Sequence, residues 1–406
     1  MATTPNPTTR TSVLALKQPG RLIPVATVLI GLVAALLTAK GLMSAIASSK
    51  DFQWGPATVL LDRQNPYLEF IRGGNELVDA APPNYLPLLY FVLSPFALLS
   101  FGTAKVIWAG LNVAMAIGAA IAVGRAASWR GWAAALLVVT FLTSTPFRNV
   151  VANGQQTLLI LICAIVAFTV RPAALGGAGL ALAITKYSFA PPMVLVLALR
   201  RRFSVIGWAV AISVVVAVCF AMVVGSSLLD VLTQPLQVNQ TAVASGVADL
   251  MSVAQAAFGL DNTSSVIYVV AIVGCLIFTA ASARFVIAAD WIDALSIASL
   301  ISLLCFKHLP YDFCFLLPVV VTGIRASGVR RVVILGAVAY FWYGYRMFGP
   351  LGIDSSNVAL CIGSFVILLA AFVAVNHRER EAASGDAPSL PQDTSDSQQA
   401  TDSAAR

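Results

Sequence analysis

Residues Phe203–Val224 read FSVIGWAVAISVVVAVCFAMVV, an apolar run with no charged side chain. About 20 such residues are needed to cross a bilayer as a helix. A membrane-spanning β-strand would alternate polar and apolar residues over a shorter stretch. This run does not alternate, so it predicts a transmembrane helix, and the rest of the chain follows the same pattern. Of the 406 residues, 59% are hydrophobic and 11% are charged, and the mean hydropathy is +0.86. Soluble domains carry about 25% charged residues, so a soluble enzyme, a disordered chain and a coiled coil are excluded.

Further apolar stretches fall near 22–47, 103–124, 131–146, 156–170, 173–185, 188–199, 264–283, 288–305, 310–323, 331–347 and 357–376. The chain is thus expected to be an all-α polytopic membrane protein of about twelve transmembrane helices. Several stretches are short for a full crossing, which predicts broken or re-entrant helices among them. In 173–199, Gly176, Gly177 and Gly179 precede Pro191 and Pro192, which predicts a hairpin turning at Lys186-Tyr187. The expected division is a cytoplasmic tail over 1–21, a transmembrane domain over 22–376 and a polar, disordered cytoplasmic tail over 377–406.

The net charge of +7 bears on topology rather than on nucleic acid, which is not an expected partner. Segment 84–101 (NYLPLLYFVLSPFALLSF) is apolar but interrupted by Pro87 and Pro95. If it does not cross, Arg125, Arg130, Arg171, Arg200, Arg201, Arg202, Arg284, Arg325, Arg330 and Arg331 all face the cytoplasm with the N-terminus. That distribution obeys the positive-inside bias, so 84–101 is read as a juxtamembrane helix on the outer face. Two long loops, about 48–102 and 226–263, then face outward. The six cysteines lie in or beside apolar runs and form no CxxC pair, so they predict neither a disulfide framework nor a zinc site.

The polar residues that stand out gather in a few short stretches. Lys50-Asp51-Phe52-Gln53-Trp54 places an acid just beyond the first helix, where a carboxylate can be shielded yet ionised and act as a base; an ordinary loop acid is the alternative. Downstream come Asn65-Pro66-Tyr67, Asn84-Tyr85-Leu86-Pro87-Leu88, and Asn153-Gly154-Gln155-Gln156-Thr157-Leu158. A Gly- and Ala-rich helix ends at Thr185-Lys186-Tyr187, and Lys307-His308-Leu309-Pro310-Tyr311-Asp312-Phe313 leads into Leu316-Leu317-Pro318. Lys186, Lys307, His308, Arg148 and Arg346 fall on the outer side near helix ends. A basic group there is costly without a partner, and an anionic lipid headgroup would be one; snorkelling to the interface is the alternative. Asp312 could equally cap its helix. Asp290 and Asp293 suit the start of a helix and are given no catalytic role.

In order and spacing these stretches resemble glycosyltransferase family 87, whose members are similar to polyprenyl-phosphate-mannose-dependent mannosyltransferases. The resemblance covers about residues 45–320. The sequence departs from the family pattern at Leu86, where a second proline is usual, at Gln156-Thr157, and in the displaced aromatic Trp54. The resemblance implies a GT-C-like bundle with outer-face juxtamembrane helices. It implies inverting transfer of a sugar from a polyprenyl-phosphate donor to a lipid or glycan acceptor, at the outer face of the plasma membrane. Asp51 matches the catalytic position. Gln53, Trp54, Asn65, Tyr67, Tyr85, Arg148, Asn153, Gln155, Gln156, Lys186, Tyr187, Lys307, His308, Tyr311, Asp312 and Arg346 are the candidate substrate-binding residues. No cofactor and no metal site is expected, although a divalent ion held by Asp51 and a second acid stays open. The rival readings are a transporter or flippase with a cavity lined by Lys186, Lys307, His308 and Arg346, and a membrane subunit without chemistry.

Overall fold

A computed structural model describes residues 22–242 and 249–344. Both expected tails, the 357–376 stretch and Arg346 lie outside the described residues. Among these residues the secondary structure is helical, with no strand.

Helix α1 (Leu22–Ala47) is followed by α2 (Trp54–Leu61), α3 (Pro66–Arg72), α4 (Glu76–Asp79) and α5 (Leu88–Ala97), and then by the long α6 (Phe101–Ala126). Five shorter helices come next: α7 (Trp132–Thr143), α8 (Thr145–Asn153), α9 (Thr157–Thr169), α10 (Ala173–Ala183) and α11 (Ala190–Leu199). After α12 (Phe203–Val224) come α13 (Leu228–Ala242), α14 (Leu250–Phe258) and α15 (Ser265–Ala288). The described chain ends with α16 (Trp291–Cys305), a 3-10 turn over Pro310–Leu316, α17 (Leu317–Arg325), α18 (Gly328–Ala339) and a π-helical turn over Tyr340–Gly344.

Four helices are long and apolar enough to cross a membrane: Pro24–Ala47 within α1, α6, α12 and α15. A fifth crossing arises if the bent pair α7 and α8, which meet at 60°, counts as one. Length therefore supports four or five crossings among the described residues, fewer than the expected total. The physical reason lies in the breaks. Ser144 ends α7 and caps α8 with Pro146 in its first turn, and Pro172, Pro191 and Pro192 open α10 and α11. Helix α5 has 10 residues, about 15 Å, and does not cross on its own. The hairpin expected over 173–199 is corrected: α10 packs on α9 and α12, whereas α11 packs on α15 and α16, so the two halves diverge from the break that holds Lys186.

Large apolar side chains on α1 (Leu32, Leu36), α12 (Val214, Val215, Met222) and α15 (Val269, Ile272, Ile277) are exposed. In water such continuous surfaces would drive association; in a bilayer they face lipid. Helix α16 is the reverse, buried at every position from Ile292 to Cys305.

The two ends of the bundle differ. At one end the two long loops meet. Asn65, which caps α3, donates to Ser226 Oγ at 3.0 Å and to Gln234 Oε1 at 2.8 Å. At the other end arginines bind helix C-termini. Arg200 donates to Val286 O and Ala289 O at the end of α15, and Arg202 donates to Ala167 O, Phe168 O and Val170 O at the end of α9. Arg325 pairs with Asp290 at 2.6 Å and donates to Ala126 O at the end of α6. Cations at carbonyl-rich helix ends complement the helix dipole.

Candidate functional site

The site lies at the loop end of the bundle and begins with Gly154. This residue ends α8 in the left-handed conformation at φ +71°, and its backbone presses on the loop that carries Asp51. A Cβ here would lie 2.8 Å from Phe52 Cβ and 3.2 Å from Ser49 Cβ, so both the conformation and the contact require glycine. Asp51 N donates to Asn153 O at 2.9 Å. Trp108 Nε1 donates to Gly154 O at 2.8 Å, and Gln156 Nε2 donates to the same oxygen at 3.2 Å. The Phe52 ring stacks on Trp108, centroids 5.3 Å apart. These contacts fix the backbone on either side of Asp51.

The Asp51 side chain is half-buried. Burial pushes its carboxyl above the usual value of 3.8, while a hydrogen bond from Gln155 and the Lys186 and Lys50 ammoniums pull it back down. Gln155 in turn accepts a hydrogen bond from Tyr85 Oη at 3.1 Å. Tyr85 is a wall of a cavity of about 240 Å³. Asp51 and Gln155 thus stand behind the Tyr85 wall and do not line that cavity themselves.

Lys186, Tyr187, Lys307, His308, Tyr311 and Asp312 also line the cavity. Lys186 Nζ bonds Asp312 Oδ1, and Asp312 also accepts from Thr157 Oγ1 at 3.2 Å and from Leu309 N at 3.1 Å. The carboxylate therefore caps its turn and holds a lysine at once. The ammonium stands 4.8 Å from the centroid of the Tyr311 ring, within cation–π range. Lys307 Nζ bonds Asn262 Oδ1, which also accepts from Gln255 Nε2 at 2.7 Å. Burial pulls the Lys307 ammonium below its usual value and Asp249 pushes it back.

The other sequence-predicted residues among those described are not part of the cavity lining. Gln53 is buried and donates to Pro82 O at 3.2 Å. Trp54 Nε1 donates to Phe96 O at 3.0 Å. Tyr67 is fully buried and donates to Tyr85 O at 2.6 Å. Arg148 donates to Thr145 Oγ1 at 2.9 Å, inside its own helix. Asn65 caps α3, and Asn153 and Gln156 brace the Asp51 loop. None of these side chains lines the cavity, and Tyr67 supports its wall through Tyr85.

Sequence reading missed Asn84, Asn262, Tyr268 and Asp249. Asn84 and Tyr268 line the cavity, Asn262 binds Lys307, and Asp249 faces His308. Asn84 sits beside Tyr85 in a stretch already singled out, and that adjacency was the available signal. The other three lie in or after the second loop and carry no local pattern. Among the described residues no group of three or more His, Cys, Asp and Glu side chains is arranged to hold a metal ion.

Together these features describe an all-helical membrane protein with a shielded carboxylate and a cationic cavity at one end. The family model of glycosyltransferase family 87 matches residues 84–306, more than half of the chain, and the protein belongs to that family. It is thereby a glycosyltransferase with membrane helices. The match contains Tyr85, the Asn153–Gln156 segment and Lys186; residues 307–312 lie just past its end, Asp51 lies 33 residues before its start, and both reach it through the contacts above. No curated protein and no solved structure matches the chain.

Proposed function

We propose that the protein is an inverting glycosyltransferase. It moves a sugar, mannose by resemblance, from a polyprenyl-phosphate donor to a lipid or glycan acceptor at the outer face of the plasma membrane. The observation that carries this reading is the cavity that gathers Lys186, Lys307 and His308, with Tyr85 in its wall bonded to Gln155, the side chain that favours the ionised form of the sheltered Asp51 carboxylate.

The roles follow from chemistry. Asp51 takes the proton from the acceptor hydroxyl as that oxygen forms a bond to the anomeric carbon. The bond from that carbon to the donor phosphate breaks on the opposite face, and its electron pair passes to the phosphate oxygen. Lys307, His308 and the Lys186–Asp312 pair face the negative charge that develops there. Arg148 and Arg346 are further candidates for that phosphate.

Purified protein in lipid nanodiscs, incubated with polyprenyl-phosphate mannose and a membrane lipid extract, should release polyprenyl phosphate. Absence of release with Asp51 intact, across several sugars on the donor, would sink this reading in favour of transport.

A further inference from the structure

The backbone around Asn84 is engaged on every side, whereas its side chain is idle. Asn84 N donates to Pro82 O at 2.8 Å, and Gln53 Nε2 donates to the same oxygen at 3.2 Å. Tyr85 N accepts nothing and donates to Tyr90 Oη at 3.2 Å, while Tyr85 O accepts from Tyr67 Oη at 2.6 Å. Leu86 N donates to Thr185 O at 3.1 Å. These bonds tie the stretch to the Asp51 loop, to α3 and α5, and to the break between α10 and α11, so the position of Asn84 is fixed. Its amide makes no hydrogen bond among the described residues. The oxygen is buried in that state, and the nitrogen, equally without a partner, is not shut off from solvent. Asn84 lines the cavity. Burying an unpaired amide oxygen is costly, and native structures keep few such groups.

We infer that Asn84 is a specificity-determining residue whose amide hydrogen-bonds a hydroxyl of the sugar carried into the cavity. The inference deepens the proposed glycosyl transfer and rests on that reading for the presence of a sugar.

Position and chemistry both point to the sugar. In an inverting displacement the base and the leaving phosphate flank the sugar carbon. Asp51 stands behind the Tyr85 wall, and Lys186 and Lys307 line the cavity. The sugar therefore lies against the stretch that carries Asn84. A neutral amide does not offset the charge of a phosphate, but it donates and accepts, as a hydroxyl does. Polar groups nearby are committed: Lys186 to Asp312, Lys307 to Asn262, Tyr85 Oη to Gln155, and Tyr268 Oη to Asn262 O at 3.3 Å. A polar group held in place and left unpaired discriminates well, because a ligand without the matching hydroxyl leaves it unpaired in the filled site. A structural asparagine uses its side chain locally, as Asn65 and Asn75 do in capping α3 and α4. Asn84 does not.

The test reads binding rather than turnover, with the full chain in nanodiscs. The ligands are polyprenyl phosphate, the same lipid carrying mannose, glucose or galactose, and single-deoxy analogues of the sugar that binds best. Asn84→Leu is similar in size and removes both hydrogen-bonding atoms. It should bind bare polyprenyl phosphate as the parent does, and the best sugar-bearing lipid roughly three- to tenfold more weakly. One deoxy ligand should lose that same factor on the parent and nothing further on Asn84→Leu; this coupling names the hydroxyl that is read. Equal weakening toward bare and sugar-bearing lipid, weakening toward neither, or no deoxy ligand that couples overturns the inference. The idle amide has no hydrogen bond to lose, so the variant should unfold at the parent's temperature or above it. If Asn84→Leu does not fold, Asn84→Ala takes its place in every comparison. A fall of several degrees in both would make the amide structural and overturn the inference. Absence of sugar transfer while the coupling holds would count against the proposed reaction and leave the role of Asn84 standing. Transfer by the parent without any coupling would do the reverse.

Discussion

Lys186 and Asp312 form a hydrogen-bonded ion pair although 126 residues separate them, and they tie the break between α10 and α11 to the 3-10 turn that follows α16. Both side chains are sheltered, with 13% and 1% of their surface exposed. Removing one partner leaves the other as an uncompensated charge, which typically costs about 3–5 kcal/mol. Lys186→Met and Asp312→Asn should each lower the thermal unfolding temperature in detergent. The double variant should recover most of that loss, because neither charge is then stranded, yet it should stay inactive in donor turnover. A double variant as unstable as the sum of the singles would show that the two residues act separately.

Gly154 gives a second test, one that separates backbone strain from packing. Gly225, which ends α12, has the same left-handed conformation, φ +64° and ψ 30° against +71° and 28°, but a Cβ at Gly225 would meet nothing within 4 Å. Gly225→Ala should cost only the left-handed conformation, about 1–2 kcal/mol. Gly154→Ala adds the collision with Phe52 and Ser49, so it should cost roughly 1–3 kcal/mol more. It should also shift the Asp51 backbone and lower turnover, whereas Gly225→Ala leaves turnover unchanged. Equal effects from the two substitutions would mean that the Asn153–Gln156 segment does not brace the Asp51 loop.

What could be read from the sequence follows from the range of the interactions. The helices were legible because apolar runs such as Phe203–Val224 carry their own length and period. The breaks at Pro146 and Pro191 were visible as residues, but the way each broken helix continues was not: whether α11 folds back on α10 or leaves for α15 depends on surfaces far away in the chain. In the site, Lys186, Tyr311 and Asp312 lie in recognisable stretches, and the structure brings them together. Asn65 and Tyr67 looked equally prominent, yet one caps a helix ahead of a proline and the other supports Tyr85. Asn before Pro is itself a helix-start signal, so that capping role could have been read. Asp249 and Asn262 could not, because each gains its meaning from a partner more than forty residues away.

The arginines on α9, α15 and α6 termini cluster at the end of the bundle remote from the two loops. From the positive-inside bias the cavity is expected on the outer side, as the proposed function requires. A reporter fused at Asn239, in α13, should give an extracytoplasmic signal, and one fused at Arg201 a cytoplasmic signal. The reverse pattern would move the cavity to the cytoplasm and remove an outer-leaflet acceptor from consideration.

The strongest test of the base lies in its pH dependence. A carboxylate accepts a proton only when ionised, so turnover should fall as the pH drops through the Asp51 pKa. Burial has raised that pKa above 3.8, so the acid limb of the rate profile should lie above that value. The hydrogen bond from Gln155 favours the ionised form, and removing it disfavours that form. Gln155→Leu should therefore move the acid limb to higher pH, with a smaller loss of rate on the alkaline plateau. Asp51→Asn keeps the shape, removes the proton acceptor and should cost about 10²–10⁴-fold in single-turnover rate with donor binding little changed. The limb itself should vanish from the residual activity of Asp51→Asn. A limb that persists there and does not move in Gln155→Leu would belong to another group, and Asp312, the carboxylate that lines the cavity, would be next in line.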